Sequence, residues 1–160
     1  MCPQPATCPG PPCGAAPVAS PDMDRHHRIE LPRTLRAPAG RPLGEFGEQL
    51  AVEHLTEADG LEVIARNWRL AAGELRGELD LVARDRRAGD LVVVEVKARR
   101  DADRFGGALH TISHRKAAKV RSLTAAFLRQ SGLAVAHVRL DVVAIDLGRA
   151  PVLHHLLGAL

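Results

Sequence analysis

From about residue 42 onward, apolar positions recur along the chain with two alternating periods, one helical and one extended; before it they follow neither. Residues 42–59 carry Leu43, Phe46, Leu50, Ala51, Leu55 and Ala58 on one stripe of a helical wheel, with Gly60 placed to end the helix. Glu45, Gln49 and Thr56 fall on the opposite, solvated face. Glu48 falls at the stripe's margin, where periodicity alone reads it as a boundary residue whose carboxylate turns to water. Gly44 and Gly47 cost roughly 1 kcal/mol each against Ala in a helix, tolerable where a sheet or a phosphate must approach closely. Residues 61–70 then alternate as a strand, with Val63 and Ala65 on one face and Ile64 and Arg66 on the other. A turn through Gly73 is expected over residues 71–76.

The next stretch reads as a hairpin: strands at 78–84 and 91–99, joined through Arg87-Ala88-Gly89-Asp90. Alternation puts Glu95 and Lys97 on one face of the second strand and Val94, Val96 and Ala98 on the other. On the first strand Glu78, Asp80 and Val82 share a face. A polar loop follows at 100–110, with Phe105-Gly106-Gly107 in its middle. Residues 111–130 form a second helix, stopped by Gly132, whose apolar face collects Ile112, Val120, Leu123, Thr124, Phe127 and Leu128. Lys116 sits inside that face, so its ammonium either snorkels past the helix end or delivers charge to the sheet. Residues 137–146 make an apolar strand that pairs with the meander in parallel through the crossover helix. Residues 151–157 suit a short edge strand or a closing helical turn equally well. The predicted fold is a mixed α/β sheet with helices on its faces, in the order α-β-β-β-α-β(-β), without internal repeats.

Composition adds an N-terminal boundary. Residues 1–40 hold nine of the eleven prolines and are rich in Ala and Gly, a composition that cannot bury enough surface to offset ordering entropy. They are expected to be a disordered tail preceding one domain at 41–160, and Met23 offers an alternative start. Cys2, Cys8 and Cys13 all lie in that tail, without a fourth zinc ligand, which argues against both a disulfide framework and a zinc site there. No apolar run reaches membrane-spanning length and no signal-peptide core is present, so a cytoplasmic protein without membrane contact is expected. With no Tyr and one Trp, the chain has little to stack unpaired bases on. A net charge of +3 and a pI near 9.1 permit a nucleic-acid partner. Arg99, Arg100, Arg104, His114, Arg115 and Lys119 concentrate the positive charge around the start of the second helix.

The candidate chemistry lies in the hairpin. If the register sets Asp80 beside Glu95, two carboxylates and the Lys97 ammonium converge. Mg²⁺ takes hard oxygen ligands and keeps several waters, so two carboxylates and a strand carbonyl suffice to hold it. The ion polarises a phosphoryl oxygen and acidifies a bound water, and a neighbouring lysine stabilises the developing charge. On its own, Glu-Val-Lys is also a common strand pattern with its charges on a wet face.

The wider set of residues decides more. Gly44-Glu45-Phe46-Gly47-Glu48-Gln49-Leu50-Ala51, Arg66-Asn67, Gly77-Glu78-Leu79-Asp80-Leu81-Val82-Ala83, Val94-Glu95-Val96-Lys97-Ala98-Arg99, Phe105-Gly106, Lys116 and Arg139-Leu140-Asp141-Val142-Val143 occur in one order. Together they resemble the bacterial YraN-like family, which looks like the PD-(D/E)xK restriction-endonuclease superfamily and is most similar within it to archaeal Holliday-junction resolvases. The resemblance covers about residues 41–157. It implies metal binding by Asp80 and Glu95, a motif lysine in Lys97, a completing glutamate in Glu48 and a second-helix lysine in Lys116. Ala98 stands where Thr is frequent and Leu140 where Phe is frequent; neither removes a charge. By this likeness the chain is expected to be a Mg²⁺- or Mn²⁺-dependent endonuclease acting on duplex or branched DNA. A homodimer would suit a two-strand cutter. A non-catalytic nucleic-acid-binding accessory protein and a protein-interaction module with an incidental acidic patch stay open as rivals.

Overall fold

The computed structural model describes residues 25–72, 75–100 and 113–160. Arg104, the Phe105-Gly106-Gly107 loop, Ile112 and the turn at Gly73 lie outside the described residues. Six strands form one mixed sheet, with a helix on each side of it. In chain order the elements are β1 (His26–Glu30), α1 (Leu43–Glu57), β2 (Glu62–Ala72), β3 (Leu75–Arg84), β4 (Leu91–Arg99), α2 (His114–Ser131), β5 (Val138–Asp146) and β6 (Val152–Leu156). The spatial order is β1-β6-β5-β4-β3-β2. The pairs are antiparallel except β4 with β5, which are parallel across the α2 crossover, as expected from the sequence.

The sheet divides the core in two. Against α1 pack Leu81, Val94, Val143 and Ile145, meeting Phe46, Ala51 and Leu55. Against α2 pack Leu79, Val93 and Leu140, meeting Val120, Leu123 and Phe127, with Trp68 set edge-on to Phe127 at 5.4 Å. Alternation along β4 produces this split directly, since Val94 and Val96 join the α1 cluster while Leu91 and Val93 join the other. Gly47 turns out to be the contact point of α1 with the sheet: a Cβ there would stand 2.5 Å from the Ala98 Cβ. The residue that weakens the helix is therefore what lets it lie flush on β4. α2 starts on Ser113, whose Oγ accepts the Lys116 N–H, and ends on Gly132 at φ 66°.

Four expectations need correction. Residues 25–40, assigned by composition to a tail, contain β1, which adds an outer strand to β6 in the register His26↔Leu156 to Glu30↔Val152. Five residues suffice because the neighbouring edge supplies the hydrogen-bond partners. β6 is thereby settled as a strand, but an internal one. Val63 and Ala65 do not share a face: the register shifts between them, a bulge at exposed Ile64, so Val63 packs with the α1 cluster and Ala65 with the α2 cluster. Ala58, counted in the apolar stripe, is the exposed residue that caps α1.

Candidate active site

The β3–β4 ladder runs from Arg84↔Leu91 only as far as Leu81↔Val94, and the candidate site opens beyond it. There the side chain of Asp80 replaces the missing rung, its Oδ2 accepting the Val96 backbone N–H at 2.8 Å. On the other edge of β3, Arg66 pairs with Leu81 and Trp68 with Leu79, so Asn67 falls opposite Asp80. Asn67 has φ 49°, the one left-handed non-glycine among the described residues. Asp80 thus sits where the sheet is irregular on both of its neighbours.

Glu95, on β4, is almost wholly buried at 5 % exposure and points to the α2 side. Its Oε1 lies 2.8 Å from the Lys97 Nζ and also accepts a short hydrogen bond from the Lys116 Nζ. The inward lysine of the second helix is explained: it reaches down from the first turn of α2 onto Glu95. A cavity of about 250 Å³ gathers Glu78, Asp80, Glu95, Lys97, Lys116 and Lys119. Glu78 accepts from the Arg69 Nε at 3.0 Å at its outer edge. Gly77 leaves room for the Lys119 stem, whose Cε would be 2.8 Å from any Cβ added there.

The electrostatics separate the two acids. Burial, and then the adjacent Glu95 carboxylate, push the Asp80 carboxyl up to about 6 against the opposing pull of the Val96 N–H, Lys97 and Lys116. Burial also works to raise Glu95, but its hydrogen bonds from Lys116 and Lys97 outweigh that and hold it below the ordinary carboxylate range. Burial works to lower Lys97; its bond to Glu95 and the nearby Asp80 prevail and raise it. Glu95 is accordingly a fixed anion and Asp80 an acid balanced near neutrality, which a divalent cation would bring fully to the charged form. Glu78, tied to Arg69, does not join Asp80 and Glu95 in a set of ligand atoms within 4.8 Å of one another; the two remaining carboxylates are hard-oxygen donors of the kind that suits Mg²⁺ or Mn²⁺.

The other sequence-predicted residues are placed less uniformly. Glu48 is half-buried on α1, and its Oε2 accepts from the Asn67 Nδ2 at 2.9 Å. It does not join Asp80 and Glu95 in a set of ligand atoms within 4.8 Å of one another. Its link to the site runs through Asn67, opposite Asp80. His114 and Arg115 are exposed on the first turn of α2, and Lys119 lines the cavity from the same helix. Arg99 ends β4, half-buried, whereas Arg100 borders a separate cavity with residues 36–40 and Leu147. Asn67 and Glu78 are the site neighbours that sequence reasoning did not assign; their signals were Asn in the middle of a strand pattern and Glu78 sharing the Asp80 face.

A second polar cluster lies on the α1 side, unforeseen in the sequence. His155 on β6 is fully buried between Asp141 and Asp59, with its Nε2 3.0 Å from the Asp141 Oδ2. No helix among the described residues is long and apolar enough to cross a membrane.

Residues 47–145 match the Uncharacterised protein family UPF0102. A UPF0102 protein of Mycolicibacterium smegmatis is 42 % identical over 118 residues, covering 72 % of this chain and 90 % of that protein. One of Frankia alni is 45 % identical over 121 residues, 73 % of this chain and 92 % of the relative. One of Mycobacterium tuberculosis is 38 % identical over 130 residues, 78 % and 97 % of the two chains. The matched span runs from the buried Gly47 of α1 to Ile145 of the parallel strand β5, and so contains all of the hairpin together with Lys97, Lys116 and Lys119. The chain belongs to the UPF0102 family, the YraN family that its motifs resemble.

Proposed function

We propose that the α2-side cavity is the active centre of a Mg²⁺- or Mn²⁺-dependent endonuclease that hydrolyses phosphodiester bonds of duplex or branched DNA. The observation that carries this reading is the convergence of Asp80, Glu95, Lys97 and Lys116 on one cavity where β3 and β4 part. Asp80 and Glu95 would hold the ion, which when bound polarises a phosphoryl oxygen and acidifies a water. Lys97, next but one to Glu95 on the same face, offers positive charge to the oxygens on which negative charge grows as water adds to phosphorus and the ester oxygen leaves. Lys116 fixes Glu95 in its charged form and in one orientation. Glu48 steadies Asn67 across the strand from Asp80, a positioning role rather than contact with the reacting atoms. His114, Arg115 and Lys119 take backbone phosphates on the rim, so affinity depends on salt more than on base sequence. Cutting both strands would use two copies of the chain.

One observation favours a second reading, a non-catalytic nucleic-acid-binding accessory protein. The Glu95 Oε1 is already shared by two ammonium groups, and a carboxylate so satisfied can serve as a structural clamp. Labelled linear, nicked and four-way-junction DNA, incubated with Mg²⁺ or Mn²⁺, separates the two. The endonuclease reading expects strand scission of at least one substrate, abolished by chelator. DNA retained with a strong salt dependence but never cut, with either ion, would leave the accessory reading in possession. Failure to bind any of the three would remove both.

A further inference from the structure

The α1-side cluster is not used by the hydrolytic site and has a donor set of a different kind. β1 and β6 set His27 directly opposite His155, with the rings edge to face at 5.9 Å. α1 ends near His54, and its carbonyl accepts the N–H groups of Ala58 and Asp59. Gly60, at φ 65°, then turns the chain, leaving the Asp59 carboxylate beside His155. On the far side of the ring, Asp141 is anchored by the Arg139 Nε and the Gly158 N–H.

In the neutral form of His155, donation of the Nε2–H to Asp141 leaves Nδ1 as a lone pair. That lone pair lies 3.1 Å from the Asp59 Oδ2 and 3.1 Å from the His54 Nε2. The Asp59 oxygen is buried and, for all its closeness to Nδ1, receives no hydrogen bond. A carboxylate oxygen and an imidazole nitrogen held this close need a cation between them, either a proton on Nδ1, which the two flanking carboxylates favour, or a metal ion. His27, Asp59 and His155 each bring one ligand atom, all within 4.8 Å of one another. A tetrahedral centre with bonds of about 2.0–2.1 Å needs ligand atoms about 3.3 Å apart, so the Asp59–His155 pair is already at working distance. The third ligand, His27, is exposed and free to close from the solvent side, which also gives the ion an entry path.

We propose that His27, Asp59 and His155 bind a first-row transition-metal dication, Zn²⁺ before Mg²⁺, tying the outer strand β1 to the end of α1. Two imidazoles with one carboxylate select Zn²⁺ over hard ions. The buried Asp141 supplies the outer carboxylate that orients a metal-bound histidine. His54 or a water completes the coordination. A proton on His155 would satisfy the same two carboxylates, but it would make no use of His27, and this is where the alternatives diverge.

The test uses the full chain with Cys2, Cys8 and Cys13 changed to Ser, so that thiolates of the N-terminal segment do not take the ion. Zn²⁺ affinity is measured by competition with a chromophoric chelator, and Co²⁺ is added as a spectroscopic probe. The expected result is one equivalent bound, with visible Co²⁺ bands of a tetrahedral site, and a higher melting temperature with Zn²⁺. Affinity should fall at least about tenfold in His27→Gln and in Asp59→Asn, and stay unchanged in Asp80→Asn. His27→Gln is an exposed change, so it keeps the test valid if Asp59→Asn fails to fold. No binding by the Cys-free chain, or equal binding by it and His27→Gln, would overturn the site. So would loss of binding only in His26→Gln, which would move the metal to the neighbouring His26–His154 pair.

Discussion

On the α2 side of the sheet, Asp80 and Glu95 face two ammonium groups across a cavity; on the α1 side, Asp59 and Asp141 face imidazoles in the packed interior. The difference lies in what each face can exchange. The ammonium groups, each about one-third exposed, hold the buried Glu95 carboxylate at the wall of a cavity that a hard cation could enter. Imidazoles locked by a second carboxylate present a fixed lone pair and favour a softer ion. On the two proposals made above, one sheet would carry two cation environments, one suited to turnover and one to holding the chain together.

The comparison is strained most by Glu95→Ala. It leaves Lys97 and Lys116, each about one-third exposed (33 % and 35 %), converging without an anion. A wholly buried pair broken on one side costs about 3–5 kcal/mol; with this exposure a loss of about 2 kcal/mol is expected in urea unfolding, together with loss of cleavage. Zn²⁺ binding on the other face should not change. A fall in both would mean that the faces are not independent.

Gly47→Ala probes the α1 face with no change of charge. Its new Cβ meets the Ala98 Cβ at 2.5 Å, both of them fixed to backbone, so the helix must lift from β4. A loss of about 1–3 kcal/mol is expected, partly restored by adding Ala98→Gly. Urea midpoints of the single and double variants check it, and an unchanged midpoint in the single variant would refute the close-packing account.

Asp80→Asn should act in the opposite direction. A carboxyl raised to about 6 favours the folded state only while protonated: its contribution is complete below the ordinary carboxylate range and lost as pH rises through about 6. Above that, the folded chain bears an ionised, desolvated Asp80 next to Glu95. Asparagine keeps the acceptor for the Val96 N–H without the charge, so the variant should gain on the order of 1 kcal/mol at pH 8. The gain should vanish near pH 4. Urea unfolding at the two pH values measures it, and a variant less stable than wild type at pH 8 would place the strain elsewhere.

How far these faces could be read in the sequence follows from where their residues sit. Asp80, Glu95 and Lys97 belong to one hairpin, and alternation fixes their faces; Lys116 betrayed itself as a charge within an apolar helix stripe. The break in the ladder at Asp80 was not legible, because a left-handed Asn67 and the bulge at Ile64 are decided by tertiary packing. The α1-side cluster was hidden more deeply. Its members come from β1, the end of α1, β5 and β6, no two of the metal-site residues within one element, and His27 lay in a segment whose prolines masked a short strand.

The smallest expected effects are on the rim. Arg115→Ala and Lys119→Ala should each weaken DNA binding alike across sequences and reduce the slope of log affinity against log salt by about one. A titration at several salt concentrations reads this; an unchanged slope in both would take phosphate off α2.

On the proposed function, Asp80 works at the hydrolytic centre at the expense of stability. Single-turnover cleavage of a four-way junction at pH 8 with Mn²⁺, comparing wild type with Asp80→Asn, tests it most directly. Strand scission by the wild type and a loss of at least about 100-fold in the variant are expected, although the variant is the more stable protein. Equal cleavage by the two proteins, or none by the wild type while it binds the junction, would contradict it.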